Sequence, residues 1–413
     1  MRFLFNTVCY KPAKGGGGPI HSVSSLAEEL VRRGHDVTVV ASNLDIPGKL
    51  GVDTERDYAI DGVKVRYFNA RPTFLQRTGL PMFTKAGVYT FGPEFGRWLE
   101  LEGSRFDVIH NHISFTWSNG PCARYAARNN RIYVYHQRGN LDPIRLRRGL
   151  LKKKIYILLV EKPLMRPADV LIALTEYEVT SFRALGLKNR VEIIPNGIDP
   201  ELAHARTLQT SERVNHTLDQ LSDDMCFFWM SRIHPIKGPD VFVDAFLSCA
   251  RHNRHVQAVM AGPDEVGLLA RLLTKVQAAG LENRFHYVGA LAGDDKIALL
   301  RRADCFVLPT LSEGMSMVLL EAMAAGCAVL TTPGANFGEI AHAGAGEILP
   351  RSAEAFADGM TRLSKGGRSQ AAIMGVRGKT LVREKYSWST IADRYEQLCA
   401  ELAQRKVHTG CDS

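Results

Sequence analysis

DCFVLPTLSEGMSMVLLEAMAAGCAVLTT, residues 304–332, reads as a strand, a loop, a helix and a second strand. DCFVLPT (304–310) and AVLTT (328–332) are short runs with apolar residues on both faces, and the stretch 316–326 between them has helical spacing. Strands of this kind alternating with helices point to a parallel sheet covered on both sides. Ligands in such sheets bind beyond the carboxyl ends of the strands, which is where Ser312, Glu313 and Gly314 fall. Glu313 beside a helix amino terminus is electrostatically favourable in any protein, and Ser316 is a candidate cap. Neither reading explains Glu321, which stands among Val318, Leu319, Leu320, Ala322 and Met323. A carboxylate there must be paired or must bind something. A sugar suits it, because a carboxylate accepts two hydrogen bonds from a vicinal diol.

The same rhythm extends in both directions. MCFFWMS (225–231), VQAVMAG (256–262) and FHYVG (285–289) read as strands of the same half, with helical patterns at 238–251, 266–279 and 295–302. In the first half RFLFNTV (2–8), DVTVVAS (36–42), DVIHNH (107–112), IYVYHQ (132–137), DVLIALT (169–175) and VEIIP (191–195) alternate with helix-like stretches, the first at Ile20 to Arg33. Residues 195–224, rich in Pro, Gly, Asn and mixed charges, separate the halves. The expectation is α/β: two doubly wound Rossmann-like parallel-sheet domains facing across a cleft, a number that also suits a chain of 413 residues. The tail KVHTGCDS is expected to fray.

Composition narrows the function. Hydrophobic residues make up 45% and charged residues 23%, as in globular proteins. The net charge of +9 suits an anionic substrate or an anionic membrane surface. No aromatic-basic motif for nucleic acid is present, so nucleic acid is not an expected partner. The eight cysteines include no C-x-x-C pair, and several lie in apolar runs, which suits a reducing cytoplasm. The start, MRFLFNTVCYKP, reads as a first strand and not as a signal peptide. The apolar run Ile155 to Val160 is far too short to span a bilayer.

Three more strand ends carry candidate chemistry. KPAKGGGGPIHS (11–22) sets four glycines before a helix, where backbone amides and the helix dipole favour an anion. It lacks the Gly-Lys-Ser/Thr of a P-loop, and it arrives too late after its strand for a dinucleotide fingerprint. No acid ends the second strand either. At the end of 107–110 stand His110, Asn111 and His112. Alternation along the strand places one of the two histidines toward the cleft, and the spacing alone does not choose between them. A zinc site would need third and fourth ligands, and the spacing shows none; no metal is expected. SRIHPIKGPD (231–240) places Arg232 and Lys237 five apart over a turn into a helix. A guanidinium and an ammonium there suit a diphosphate.

As a set, the glycine-rich loop, the strand-end histidine, R-x-x-x-x-K and E-x₇-E followed by A-M-A-A-G resemble the family-four retaining glycosyltransferases (glycosyl transferases group 1), which have the GT-B fold. The resemblance spans nearly the whole chain, with PNGID (195–199) resembling the junction between domains. It implies an acceptor-binding domain over 1–198, a nucleotide-sugar domain over 199–385, and a final helix, 386–406, that crosses back onto the first domain. It implies that Arg232 and Lys237 bind the diphosphate, Glu321 the ribose and Glu313 the transferred sugar. The amides after Gly314, at Met315, Ser316 and Met317, would point at sugar and phosphate. Gly17 and Gly18 would close over the diphosphate, His112 would lie near the sugar, and the base near Tyr287 to Gly289. Catalysis would then rest on His112, Arg232, Lys237 and Glu313, with no cofactor and no metal. Met315, Ser316 and Cys327 depart from the commonest residues of the family (Phe, Gly and Pro), the first two close to the sugar.

The implied reaction is transfer of a hexosyl unit, with retention, from a UDP- or GDP-sugar to a glycan or polyprenyl-linked acceptor in polysaccharide or cell-envelope synthesis. A basic, partly amphipathic helix over 145–166 would allow peripheral contact with the inner face of the plasma membrane. PTFLQRTGLPMFTKAGVYTFGPEFGRW (72–98) is a candidate acceptor groove. The competing readings are a nucleotide-sugar epimerase of the same fold, for which no acid/base pair is evident, and a non-catalytic sugar-nucleotide-binding protein.

Overall fold

The computed structural model describes residues 1–15, 17–45, 48–72, 89–91, 93–142, 154–202 and 207–410. The expected acceptor segment 72–98 and the basic helix 145–166 therefore fall partly outside the described residues. The chain forms two compact units: Met1–Gly197 with Trp388–Ser413, and Ile198–Ser387.

The first unit is built on an eight-stranded sheet. Its strands are β1 (Arg2–Asn6), β2 (Asp36–Ser42), β3 (Asp57–Ile60), β4 (Val63–Phe68), β5 (Val108–His112), β6 (Ile132–His136), β7 (Val170–Ala173) and β8 (Val191–Ile193), in spatial order 8-7-6-5-1-2-4-3. All neighbours are parallel except the β3–β4 hairpin. Its two-residue turn, Asp61-Gly62, has both φ values positive, at 51° and 81°, the demand that Asp-Gly meets in tight hairpins. Helices α1 (Gly18–Arg32), α2 (Pro93–Glu102), α3 (Asn119–Arg128) and α4 (Glu176–Ala184) lie between the strands. β5 and β6 are buried along their whole length, as strands covered on both faces must be.

The second unit holds α5 (Glu212–Gln220), β9 (Met225–Met230), α6 (Pro239–His252), β10 (Val256–Ala261), α7 (Leu269–Ala278), β11 (Phe285–Tyr287), α8 (Gly293–Arg302), β12 (Cys305–Leu308), α9 (Met317–Ala325), β13 (Ala328–Thr331), β14 (Gly346–Ile348) and α10 (Ala353–Lys385). Its six strands are all parallel, in order 11-10-9-12-13-14. The direction of winding reverses between β9 and β12, so this pair is the topological switch point. Phe227, Trp229, Phe242, Phe246 and Phe285 anchor the core on one face.

The last helix, α11 (Trp388–Gly410), belongs to the first unit. Arg33 at the end of α1 clamps it, donating to Asp393, Glu396 and the Ser389 carbonyl. The Trp388 ring packs where any Cβ on Gly197 would come within 2.6 Å of it.

One glycine of α10 gives a sharp test of packing against propensity. A Cβ on Gly375 would stand 1.9 Å from the Gly326 carbonyl oxygen at the end of α9. Helix propensity favours alanine over glycine by about 1 kcal/mol, whereas overpacking costs about 1–3 kcal/mol. Backbone cannot yield as a side chain can, so Gly375→Ala is expected to lower the melting temperature. An unchanged or raised melting temperature would refute the close approach.

Candidate functional site

In the second unit the candidate residues gather at the carboxyl ends of β9, β10 and β12. After β9 the chain runs Ser231 to His234, makes a single 3₁₀ turn over Pro235–Lys237, and enters α6. Gly238 makes this possible: its φ is +66°, and a Cβ there would meet the Pro309 carbonyl oxygen at 2.2 Å. The Ile236 carbonyl accepts from the Leu311 amide (2.7 Å) and from the Thr310 hydroxyl (3.2 Å). These bonds bind the loop after β9 to the loop after β12, across the switch point.

The juxtaposition brings Lys237 against Glu313. Nζ donates to Oε1, and both residues are buried, at 9% and 6% exposure. Glu313 is fixed from its backbone as well: its amide donates to the Gly334 carbonyl (2.8 Å), and Asn336 Nδ2 donates to the Glu313 carbonyl (2.7 Å). Its Oε2 has no hydrogen-bond partner among the described residues. Glu321, two turns along, is held by Lys296 of α8, Nζ to Oε1 at 2.7 Å. The carboxylate that looked anomalous in the sequence is half-buried and paired, by a lysine 25 positions away.

Ser316 occupies the N-cap position of α9, but its side chain makes no capping bond. The expected cap is therefore not formed, and the first amides of α9 keep the anion-seeking character of any helix start. Gly314 and Met317 are half-buried beside the buried Met315 and Ser316. Arg232 is exposed and donates through one nitrogen to both oxygens of Glu265, at 2.9 and 3.0 Å. Gly289 has φ +68°, its carbonyl accepts from the Gly262 amide (2.8 Å), and the hydroxyl of nearby Tyr287 donates to the Gly262 carbonyl.

In the first unit Gly17 and Gly18 are exposed at the start of α1, Gly17 with φ +63°. The amides of Lys14 and Gly15 both donate to Asp45, at 2.8 and 2.7 Å, which holds its carboxyl below the usual range. Part of the glycine-rich loop is thereby committed to the protein itself.

The histidine pair corrects the expectation that strand alternation separates them. His110 and His112 are two residues apart, so both rings lie on the same face of β5, with centroids 3.7 Å apart. His136, at the end of β6, joins them, its ring 6.0 Å from each. One ring nitrogen from each lies within 4.8 Å of the others. The third histidine that a metal site would require is thus present, though the spacing in sequence did not show it. The arrangement still fits a metal poorly. Tetrahedral zinc with bonds near 2.05 Å needs nitrogens about 3.4 Å apart, and the guanidinium of Arg138, buried in contact with His112, would repel a dication.

Arg138 is the residue that the sequence reading missed. It follows β6 in His136-Gln137-Arg138-Gly139, a strand-end loop like the others, with Arg138 and Gly139 both at positive φ. It donates to His112 Nδ1, to Ser22 Oγ of α1 (2.6 Å) and to Asn196 Oδ1 (3.1 Å). Its position beyond a parallel strand was the available signal. Glu161 is a second such residue. It is fully buried on a π-helical turn, 157–161, and accepts from the Phe115 amide (2.7 Å) and the Tyr135 hydroxyl.

Burial sets the charge states. It drives the pKa of His110, His112 and His136 well below the ordinary value of 6.5, with Arg138 adding to the effect on each. It pushes Glu161 up to about 7 and Arg138 down to about 9, still charged at neutral pH. Below pH 6.5 the unfolded chain therefore binds three protons that the folded histidines refuse. Down to the ordinary glutamate value of 4.5, folded Glu161 holds one that the unfolded chain lacks. The unfolded chain thus takes up more protons than the folded one, and stability is expected to fall as pH falls from 6.5 toward 4.5. Denaturant midpoints measured at pH 7, 6 and 5 check this; constant midpoints would contradict it.

The first unit matches the glycosyl transferase 4-like domain over residues 17–197, and the second matches glycosyl transferases group 1 over residues 225–365. The two matches together take in most of the chain, which belongs to the group 1 glycosyltransferases of the family-four type and has the GT-B fold. It is 26% identical to an uncharacterized glycosyltransferase of Methanocaldococcus jannaschii, over 95% of this chain and 96% of that one. It is 24% identical to a D-inositol 3-phosphate glycosyltransferase of Saccharomonospora viridis, over 92% and 88%. Among solved structures it resembles Anabaena HepE in complex with UDP and glucose, with a TM-score of 0.71 and 20% identity over 97% of this chain and 99% of that one.

Proposed function

We propose that the protein is a retaining, metal-independent hexosyltransferase that uses a UDP- or GDP-sugar and a glycan or lipid-linked glycan acceptor. The observation that carries the donor assignment is the buried Lys237–Glu313 pair at the switch point of the second unit, with the Lys296–Glu321 pair two turns along α9. Each carboxylate has one oxygen anchored by a lysine and the other available to a hydroxyl of the ligand. Glu313 is assigned to the transferred sugar and Glu321 to the ribose. The start of α9, with the amides of Met315, Ser316 and Met317, is assigned to the phosphates between them. Arg232 and Lys237 stabilise the leaving diphosphate, whose charge grows as the glycosidic bond breaks through an oxocarbenium-like state. Fixed cations supply this without a metal. The acceptor attacks from the face that the diphosphate leaves, and the departing phosphate takes its proton. Gly17, Gly18 and His112 of the first unit, and Gly289 near the base, are assigned to the same ligand on the resemblance alone. HepE, in complex with UDP and glucose, supports a uridine nucleotide as the first donor to try.

For the acceptor side, the described part of the basic segment supports contact with a membrane surface. Ile155, Leu158 and Leu159 are 49%, 54% and 72% exposed, and Ile157 and Glu161 face inward instead. No helix among the described residues is long and apolar enough to cross a membrane. A peripheral contact at the inner face of the plasma membrane follows from this reading. The sugar phosphate acceptor named for the Saccharomonospora relative is the alternative to test.

The test is release of nucleotide from a panel of UDP- and GDP-sugars, with EDTA present, and with either membrane lipid extract or inositol phosphate as acceptor. Acceptor-dependent release with the product in the anomeric configuration of the donor is the expected result. Conversion of the sugar without an acceptor would indicate an epimerase, and binding without turnover a non-catalytic protein.

A further inference from the structure

Arg138 joins three segments that are far apart in the chain. Its Nε and Nη2 both reach His112 Nδ1, at 3.2 and 3.1 Å, and Nη1 reaches Ser22 and Asn196. Ser22 lies just after the glycine-rich loop, and Asn196 lies in the PNGID stretch. No carboxylate among the described residues forms a salt bridge with it. A guanidinium has five donors and no acceptor, so an imidazole nitrogen in contact with two of them must offer its lone pair. Turning the ring over would set a C–H group against both donors. A neutral imidazole whose Nδ1 accepts carries its proton on Nε2. His112 Nε2 is buried, with no hydrogen-bond partner among the described residues.

We propose that Arg138 is a positioning residue that locks His112 in its neutral Nε2–H tautomer, so that His112 offers a hydrogen-bond donor and can act neither as a general base nor as a metal ligand through Nε2. The functional half of this rests on the reading that His112 touches the transferred sugar. There Nε2–H would donate to a sugar oxygen, and no proton would be exchanged in the reaction. The strained backbone after the strand suits a fixed geometry: Ile113, a β-branched residue, has φ 75°, and Arg138 itself φ 51°.

The test is ¹⁵N–¹H correlation of the full chain labelled at histidine, with His112 assigned by its loss in His112→Gln. The expected spectrum shows Nδ1 unprotonated and Nε2 protonated from pH 6 to 8.5. A protonated Nδ1, an imidazolium above pH 6, or loss of the Nε2 proton on adding Zn²⁺ would overturn the proposal. Arg138→Met is expected to leave Nδ1 without its donors, so that the Nδ1–H tautomer appears in the spectrum of His112, whereas Arg138→Lys, also a pure donor, restores the wild-type spectrum. A wild-type spectrum in both variants would overturn it. His112→Ala with wild-type turnover would remove the sugar-contact reading, a failure that the spectrum of the wild-type ring tells apart from failure of the tautomer.

Discussion

Lys237→Ala is expected to lower kcat for sugar transfer by about 10²- to 10³-fold, the size of effect seen when one preorganised stabiliser of transition-state charge is lost. The donor KM should move far less. In the proposed role of Lys237, the negative charge it meets grows as the diphosphate leaves, and only interactions stronger in the transition state than in the ground state raise kcat. A confounding effect on stability is also predictable. The lysine is buried against Glu313, and removing one partner of a buried pair costs about 3–5 kcal/mol, because the other charge is left uncompensated. The double variant Lys237→Met/Glu313→Gln separates the two effects. It should recover much of the lost stability, since neither side chain is then charged, while remaining as inactive as the single variant. Recovery of turnover along with stability would show that the pair is structural only.

The second large effect is expected at Glu321. Glu321→Ala should raise the donor KM about 10- to 100-fold, the loss of about 1.5–3 kcal/mol from hydrogen bonds to a charged group. Its kcat should change little, because the ribose lies away from the breaking bond. Glu321→Gln, which keeps an acceptor oxygen but loses the charge and the strength of the Lys296 bond, should fall between. The contrast with Lys237→Ala is the informative part: one variant affects the rate and the other the binding. Equal effects of both variants on KM alone would contradict the division of labour between Lys237 and Glu321.

Much of the fold was legible because both sheets, apart from one edge hairpin, are parallel and covered on both faces. Their strands, such as MCFFWM (225–230) and CFVL (305–308), are therefore apolar runs of the length that buried strands have. The same covering hid half of the site chemistry. Glu321 could be read as a carboxylate needing a partner, but Lys296 is on another helix, and Lys237 is 76 positions from Glu313. Pairings at such distances leave no periodic trace. The histidines were misread through strand geometry: His110 and His112 share a face because the period is two. His136 fell inside the strand read at 132–137 and Arg138 just beyond it, and nothing singled them out until β5 and β6 were set side by side, with His136 opposite His112 in register. Ser316 sits where a cap belongs and does not cap. Glu161 was hidden in the segment read as a basic amphipathic helix, where a π-helical turn alters which side chains face inward.

Calorimetric titration of the purified protein with UDP, GDP and their hexose conjugates, in EDTA, tests the central claim most directly. At least one nucleoside diphosphate should bind at a single site with micromolar affinity and no metal, and the affinity should fall about tenfold or more in Glu321→Ala. If none of these ligands binds the wild-type protein, or if Glu321→Ala binds them as tightly, the nucleotide-sugar site on the second unit is contradicted.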